Sequence, residues 1–359
     1  MAFATVDVKN NENIGLGITF LQILNRSEYL MKKCSILLLA ATMLVASAFS
    51  AMAAEKLIVY TSMKESIIGS LKEGFTKKHP DIAMDYQSAG AGKLMAKVAT
   101  ERQSGKIMAD VIWTSEVPDF FNMRAEGILE KYESPELQYL INPFPDYDGT
   151  FTAVRLGTLG IAYNTRFVKQ APTQWSDVTK PEYKKAFGIA NPALSGTAYM
   201  SIQLLVDKFG WEYIEKISKN GGRIGKGSGQ VVDDTASGDL LACIGVDYIV
   251  NDKIKKGASL ALAYPPEMLV IPSPVAIFKG TPNLEAAKKF VDYLLSEEGQ
   301  KILAEQGTLP VRKGIIPPKE YKLPTSEEAF ERGIKIDYQK VLTEKEASIK
   351  KFTDIMMSK

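Results

Sequence analysis

Five loops in this sequence are built almost wholly from small and hydroxyl-bearing residues, a composition suited to holding an anion. Thr61, Ser62 and Met63 form one, Ser88, Ala89, Gly90, Ala91 and Gly92 a second, and Trp113, Thr114 and Ser115 a third. Ser195, Gly196, Thr197 and Ala198 form the fourth, and Gly227, Ser228 and Gly229 the fifth. Small residues let a ligand reach the backbone, hydroxyls donate, and the free N–H groups of a helix's first turn carry partial positive charge. A serine or threonine at a helix start also serves as a plain cap. One such loop is therefore ambiguous, but five at the ends of expected strands favour a binding cleft. Trp113 either stacks on a ligand face or packs in the core. Catalysis has no comparable support. His79 is the one histidine, it lies in the surface turn KKHPD, and no triad or zinc-type cluster assembles without it. SAGAGKLMAK lacks the spacing of a nucleotide phosphate loop, because Leu94 follows Lys93. The expectation is a binding protein with no catalytic residue, no cofactor and no resident metal.

The elements that must position these loops alternate regularly. KLIVYTS (56–62), IAMDYQS (82–88) and ADVIWTS (109–115) read as short strands. Between them Ile67, Ile68, Leu71 and Phe75 recur at helical spacing, and a second helix is expected from Gly92 to about Gln103. After the extended stretch 151–164 a second series contains AFGIANP (186–192), helices from Thr197 and Trp211, GRIGKGS (222–228), a short helix near 231–237, LLACIGVDY (240–248) and SLALAYP (259–265). Alternation of this kind predicts parallel sheets flanked by helices, with ligands outside the carboxyl ends of the strands. The reading is an α/β protein of two lobes joined by two hinge crossings, near 151–160 and 265–275. Lobe 1 spans 54–153 plus 270–359, with a helical C-terminus, and lobe 2 spans 154–269. Glu267, near the second crossing, is either a ligand group or a surface charge of the hinge.

The segment from Met31 runs from Lys32 and Lys33 through an apolar stretch to Ala51, Ala53 and Ala54. That order is a secretory signal, too short to be a membrane span. Residues 31–53 are thus expected to be a signal peptide and 1–30 an extension of the gene model, leaving a periplasmic protein of about 300 residues, enough for two domains. With 44 basic and 42 acidic residues, the chain has no excess of positive charge for nucleic acid. Cys34 leaves with the signal, and Cys243, within LLACIGV, is expected to be a buried structural thiol.

NLEAAKKFVDYLLSEEGQKILAEQGTLPVRK (283–313) closely resembles the C-terminal signature of bacterial extracellular solute-binding proteins, and VYTS, ADVIWTSE, YNT, NPALSGTAY and PSPVAIFKG match in the family's order. The likeness covers about 56–314 and is strongest to the cluster containing ferric-iron, sugar-phosphate and phosphonate binders. It implies a two-lobed flytrap fold, a small ligand, an ABC permease with its ATPase as partner, and a monomer. It also implies that Asp247 and Tyr248 face the cleft, with the Asp247 carboxylate accepting from the ligand. Iron binders of the family present adjacent tyrosines there, whereas this chain has Asp247, Tyr248 and Ile249. A phosphate ester or phosphonate is therefore expected, with ferric iron as the alternative.

Overall fold

The computed structural model describes residues 55–144 and 146–358. The expected extension (1–30), the signal peptide (31–53) and Cys34 lie outside them. The first series is β1 (Glu55–Thr61), α1 (Glu65–Lys78), β2 (Ile82–Ser88), α2 (Ala91–Gln103), β3 (Val111–Trp113) and α3 (Val117–Ala125). The second opens with β4 (Thr152–Asn164). It continues through β5 (Phe187–Ala190), α4 (Gly196–Phe209), α5 (Trp211–Lys219), β6 (Arg223–Gly225), α6 (Ser228–Ser237), β7 (Ala242–Val246), α7 (Asp247–Lys255) and β8 (Leu260–Ala263). The chain returns along β9 (Leu269–Ile277) to α8 (Leu284–Leu295), α9 (Glu297–Glu305) and β10 (Leu309–Pro310). It ends with α10 (Ser326–Arg332), α11 (Tyr338–Thr343) and α12 (Lys345–Met357).

Apolar spacing explains the layers. α1 buries Ile67, Ile68, Leu71 and Phe75 on the face read from the sequence. β7 is buried along its whole length, so its run ACIGV shows no alternation. Burial also pushes the free Cys243 thiol up to about 12.

The strands follow the order β2-β1-β3-β9-β4-β7-β5-β6, with β8 and β10 also pairing β4. β1 pairs in parallel with β2 and β3, and β5 with β6 and β7. The expected parallel sheets are thus present in both lobes, with α/β architecture throughout. The two crossing strands differ, because β9 runs antiparallel to β3 and to β4, and β4 runs antiparallel to β7, β8 and β10. SLALAYP therefore supplies an antiparallel strand, paired to β4 beyond the stretch where β4 meets β9.

Two prolines, Pro272 and Pro274, stand in β9 and remove ladder donors, a pattern tolerated at bulges. The β4–β9 register shifts between Ala153 and Arg155. Val154, skipped at that bulge, has its carbonyl satisfied instead by Gln300 Nε2 at 2.8 Å. Fully buried, Gln300 also donates to Leu294 O and accepts from the N–H groups of Val311 and Arg312. The glutamine of the Ser-x-Glu-Gly-Gln turn thus locks the crossing to the C-terminal helices.

One boundary departs from the expectation that everything from 270 to 359 belongs with lobe 1. α11 packs on α3 of the first series, but α12 packs on α5 and α4 of the second. The reason is its sequence: Phe352 and Met356 are buried, Ser348 Oγ donates to Gln203 Oε1 at 2.7 Å, and Ser218 Oγ donates to Ile355 O at 2.7 Å. At the start of α12, Lys345 Nζ lies 2.7 Å from Asp119 Oδ1 and 3.2 Å from Glu116 Oε1, both carboxylates being buried at the head of α3. The Glu116 contact is an ion pair without hydrogen-bond geometry, so Glu116 Oε1 and Asp119 Oδ2 have no hydrogen-bond partner. Burial pushes Glu116 up to about 7 against the pull of Lys345, and Asp119 is raised for the same reason.

A carboxyl raised in the fold contributes stability that is complete below its unfolded value of 4.5 and is lost as pH rises through about 7. The Lys345→Met variant, which removes the offsetting cation, should therefore melt only slightly early at pH 5 but lose roughly 3 kcal/mol at pH 8. Adding Glu116→Gln should recover part of that loss. Thermal melts of the three proteins at both pH values measure it, and an equal loss at pH 5 and pH 8 would contradict a titrating pair.

Candidate functional site

A cavity of about 450 Å³ opens where loops of both series meet. Its walls are helix starts. Lys64 precedes α1, Gly90 and Ala91 begin α2, Ser195, Gly196 and Thr197 begin α4, Gly227 and Ser228 begin α6, and Tyr248 lies in the first turn of α7. Helix dipoles add positive potential at these starts, although at α7 it is met by Asp247, the first residue of that helix. The two series touch here. A Cβ on Gly90 would stand 2.5 Å from Leu194 O, and one on Gly92 would stand 2.5 Å from Ala193 O, so only glycine permits the approach.

Three hydroxyls form a triangle on one wall. Ser195 Oγ is 3.1 Å from Thr197 Oγ1 and 3.0 Å from Ser228 Oγ, and the last two are 3.1 Å apart. Ser195 also caps α4, but its bond from Ala198 N is long at 3.4 Å. On the opposite wall Ser88 Oγ donates to Met63 O at 2.7 Å, and Ser115 Oγ pairs with Ser273 Oγ at 2.5 Å. The lining includes Lys64, Lys93, Arg155 and Lys226 and no aspartate or glutamate.

Beneath the cavity, Asp247 is fully buried and collects donors. Its carboxylate accepts from Thr158 N at 2.9 Å, Thr158 Oγ1 at 3.1 Å, Thr308 Oγ1 at 2.8 Å, Tyr248 N at 2.7 Å and Arg155 Nη1 at 3.3 Å. Arg155 Nη1 donates to Thr308 as well, and its guanidinium lies 4.8 Å from the Tyr248 ring centre. Burial pushes the Tyr248 phenol up to about 12, although the Arg155 charge and the Lys64 N–H favour its ionised form.

The structure thus gathers Ser62, Met63, Ser88, Gly90, Ala91, Ser115, Ser195, Gly196, Thr197, Ser228 and Tyr248 around one cavity. The other expected residues do not line it. Thr61 is buried, accepting from Met63 N, and Thr114 is buried, accepting from Glu116 N. Trp113 is inside β3 between β1 and β9, so it packs and has no face for a ligand. Gly92 and Ala198 lie in the first turns of α2 and α4 without lining it, Asp247 is covered by its donors, and Glu267 is placed by its backbone carbonyl, which accepts from Trp175 Nε1. Sequence reading missed the cations. A lone arginine in the otherwise apolar FTAVRLGTLGIAYN was the available signal, since a charge in a buried strand needs a partner or a ligand. Among the described residues, no three His, Cys, Asp or Glu side chains gather as a metal-binding set.

Residues 106–333 match the family model described as bacterial extracellular solute-binding protein. An uncharacterized protein of Haemophilus influenzae is 31% identical over 75% of this chain and 81% of its own length. A putative 2-aminoethylphosphonate-binding periplasmic protein of Salmonella typhimurium is 25% identical over 71% of this chain and 77% of its own. Among solved structures, the periplasmic binding protein AfuA of Actinobacillus pleuropneumoniae, with exogenous fructose-6-phosphate bound, superposes with a TM-score of 0.71. It is 26% identical and covers 85% of this chain and 99% of its own.

Asp247→Ala should leave Arg155 buried without its counter-charge and destabilise the unliganded protein by roughly 3–5 kcal/mol. Denaturant unfolding without ligand measures this. A variant of unchanged stability with lost ligand affinity would instead return Asp247 to the role of a ligand contact.

Proposed function

The chain belongs to the bacterial extracellular solute-binding protein family and is the substrate-binding component of an ABC importer, and on that premise we propose that its ligand is a small organic anion, a phosphate ester or phosphonate. One observation carries the reading: the cavity brings four cationic side chains, three hydroxyls in a triangle and several helix starts together without a carboxylate. Phosphoryl oxygens accept charge-assisted hydrogen bonds from all of these. The phosphonate named for the Salmonella relative and the sugar phosphate in AfuA support the class. Ferric iron, a hard cation, would instead meet like charges and one phenol, Tyr248.

In the cycle we infer, an exported monomer in the periplasm captures the anion on one lobe and closes about β4 and β9. It then docks on the permease, which the ATPase opens. Closure is a population shift, so the ligand must bind the closed state better. Ser88 and Lys64 on one side, with Ser195, Thr197 and Ser228 on the other, supply that difference. The family's members bind solutes and are not enzymes, and among the described residues no helix is long and apolar enough to cross a membrane.

A phosphorus compound at ~100 times its Kd should stabilise the protein by ~2.7 kcal/mol. Ser195→Ala with Thr197→Val should cost ~1–3 kcal/mol in binding while changing the unliganded midpoint little, because the cap bond it removes is already long. Melting shifts with sugar phosphates, phosphoglycerates, phosphonates and inorganic phosphate test both. If none shifts the wild type, the assignment is wrong. Ferric citrate, added separately, should produce no tyrosinate-to-iron colour, and a stable coloured one-to-one complex would make iron the ligand.

A further inference from the structure

The charges around the cavity say more than that its ligand is an anion. Lys64, Lys93 and Lys226 are exposed at its rim, and among the described residues none of them is ion-paired. The buried acids nearby are committed elsewhere: Asp247 to its five donors, Glu116 and Asp119 to Lys345. A ligand ammonium entering this cavity would find no carboxylate and would meet three free lysines.

Arg155 carries the second part of the argument. It is 1% exposed, yet it lines the cavity and its Nε has no hydrogen-bond partner. Such an orphaned donor is rare and costly. Nη1 is occupied by Asp247 and Thr308; among the described residues Nη2 makes no hydrogen bond and Nε, though sealed from solvent, has no partner, so Nε and Nη2 form the unspent bidentate edge that a carboxylate fits. The guanidinium is wedged against Tyr248 and Gly157. A Cβ on Gly157 would stand 3.0 Å from Nη2 and 3.3 Å from Cζ, so a side chain there would crowd it. This pole is built by β4 and α7, whereas the hydroxyl triangle is built by α4 and α6. The lining therefore has two anion-seeking poles on different elements.

We propose that the ligand carries two anionic groups and no ammonium: a phosphorylated or phosphono carboxylic acid. The phosphoryl group takes the hydroxyls of Ser195, Thr197 and Ser228, and the carboxylate takes the free edge of Arg155. The inference rests on the organophosphate reading and narrows it. The rim lysines balance a total charge that a single phosphoryl group would leave partly unmet.

Calorimetric titration of the purified protein with matched compounds tests this. 3-Phosphoglycerate differs from glycerol 3-phosphate by a carboxylate, and phosphonoacetate differs from 2-aminoethylphosphonate by carrying a carboxylate where the other has an ammonium. The carboxylate should bind at least about 10-fold tighter in each pair, the size of one charge-assisted bond. Arg155→Lys keeps the charge beside Asp247 but loses the planar fork. It should bring the first pair within about 3-fold of one another by weakening 3-phosphoglycerate more than glycerol 3-phosphate. Equal or tighter binding of glycerol 3-phosphate or 2-aminoethylphosphonate by the wild type overturns the inference and leaves the organophosphate reading standing. A ratio retained in folded Arg155→Lys overturns the role of Arg155, and if that variant does not fold, the wild-type pairs decide. Binding of none of the four compounds defeats the organophosphate reading itself, and this inference with it.

Discussion

A carboxylate removed from water keeps its charge only if donors surround it, and Asp247 draws its donors from separate stretches of chain. Arg155 and Thr158 come from the crossing strand β4, Thr308 from the turn before β10, and Tyr248 N from its own helix start. Desolvating the ion pair costs several kcal/mol, and the extra hydrogen bonds are what make the arrangement tolerable. Once met, the demand fixes the floor of the cavity. β4 cannot slide past β7 without breaking the Thr158 bonds, and Arg155 cannot swing toward solvent without stranding Asp247. Tyr248 sits over the guanidinium as the first turn of α7 begins. The hydroxyl triangle and the rim lysines are arranged around a floor set in this way.

The same economy explains the electrostatics of the walls. The buried acids close to the cavity are matched to cations, Asp247 to Arg155 and both Glu116 and Asp119 to Lys345, and among the described residues the lysines that face the opening are left unmatched. Helix starts reinforce them from both lobes, so on the proposed reading an anionic ligand would do the neutralising. On the proposed reading, a lobe that holds half of these groups would bind weakly alone. Bringing the two halves together adds the other half, and this difference is what a closing protein needs.

Much of this was legible in the sequence. Small, hydroxyl-rich loops at strand ends predicted Ser62, Ser88, Ser115, Ser195 and Ser228 as neighbours, because strand and helix periods fix which end of each element a loop occupies. The first two strands were legible for the same reason, whereas the third is Val111–Trp113, shorter than the expected 109–115. Periodicity does not reveal which residue of a loop turns inward, so Thr61, Thr114 and Trp113 went to the core while their neighbours reached the cavity. Asp247 looked like a ligand group because its partners, Thr158 and Thr308, lie 89 and 61 residues away in sequence. The lysines were passed over because a lysine beside a loop ordinarily belongs to solvent. The place of α12 depended on packing with α5, which no local pattern encodes.

The path of the C-terminal segment bears on how the two lobes can move. β4 and β9 run side by side, so by themselves they behave as a single axle. α11 rests on α3 and α12 on α5, and the two helices meet at Glu344, which ends one and begins the other. That makes a further linkage away from the axle, and a body fixed at an axle and at an offset point cannot rotate unless the offset link has a joint of its own. Glu344, the residue shared by the two helices, is where such a joint would lie. A swing of the lobes would then appear there as a change in the angle between two short helices, at the far end of the chain from the cavity loops.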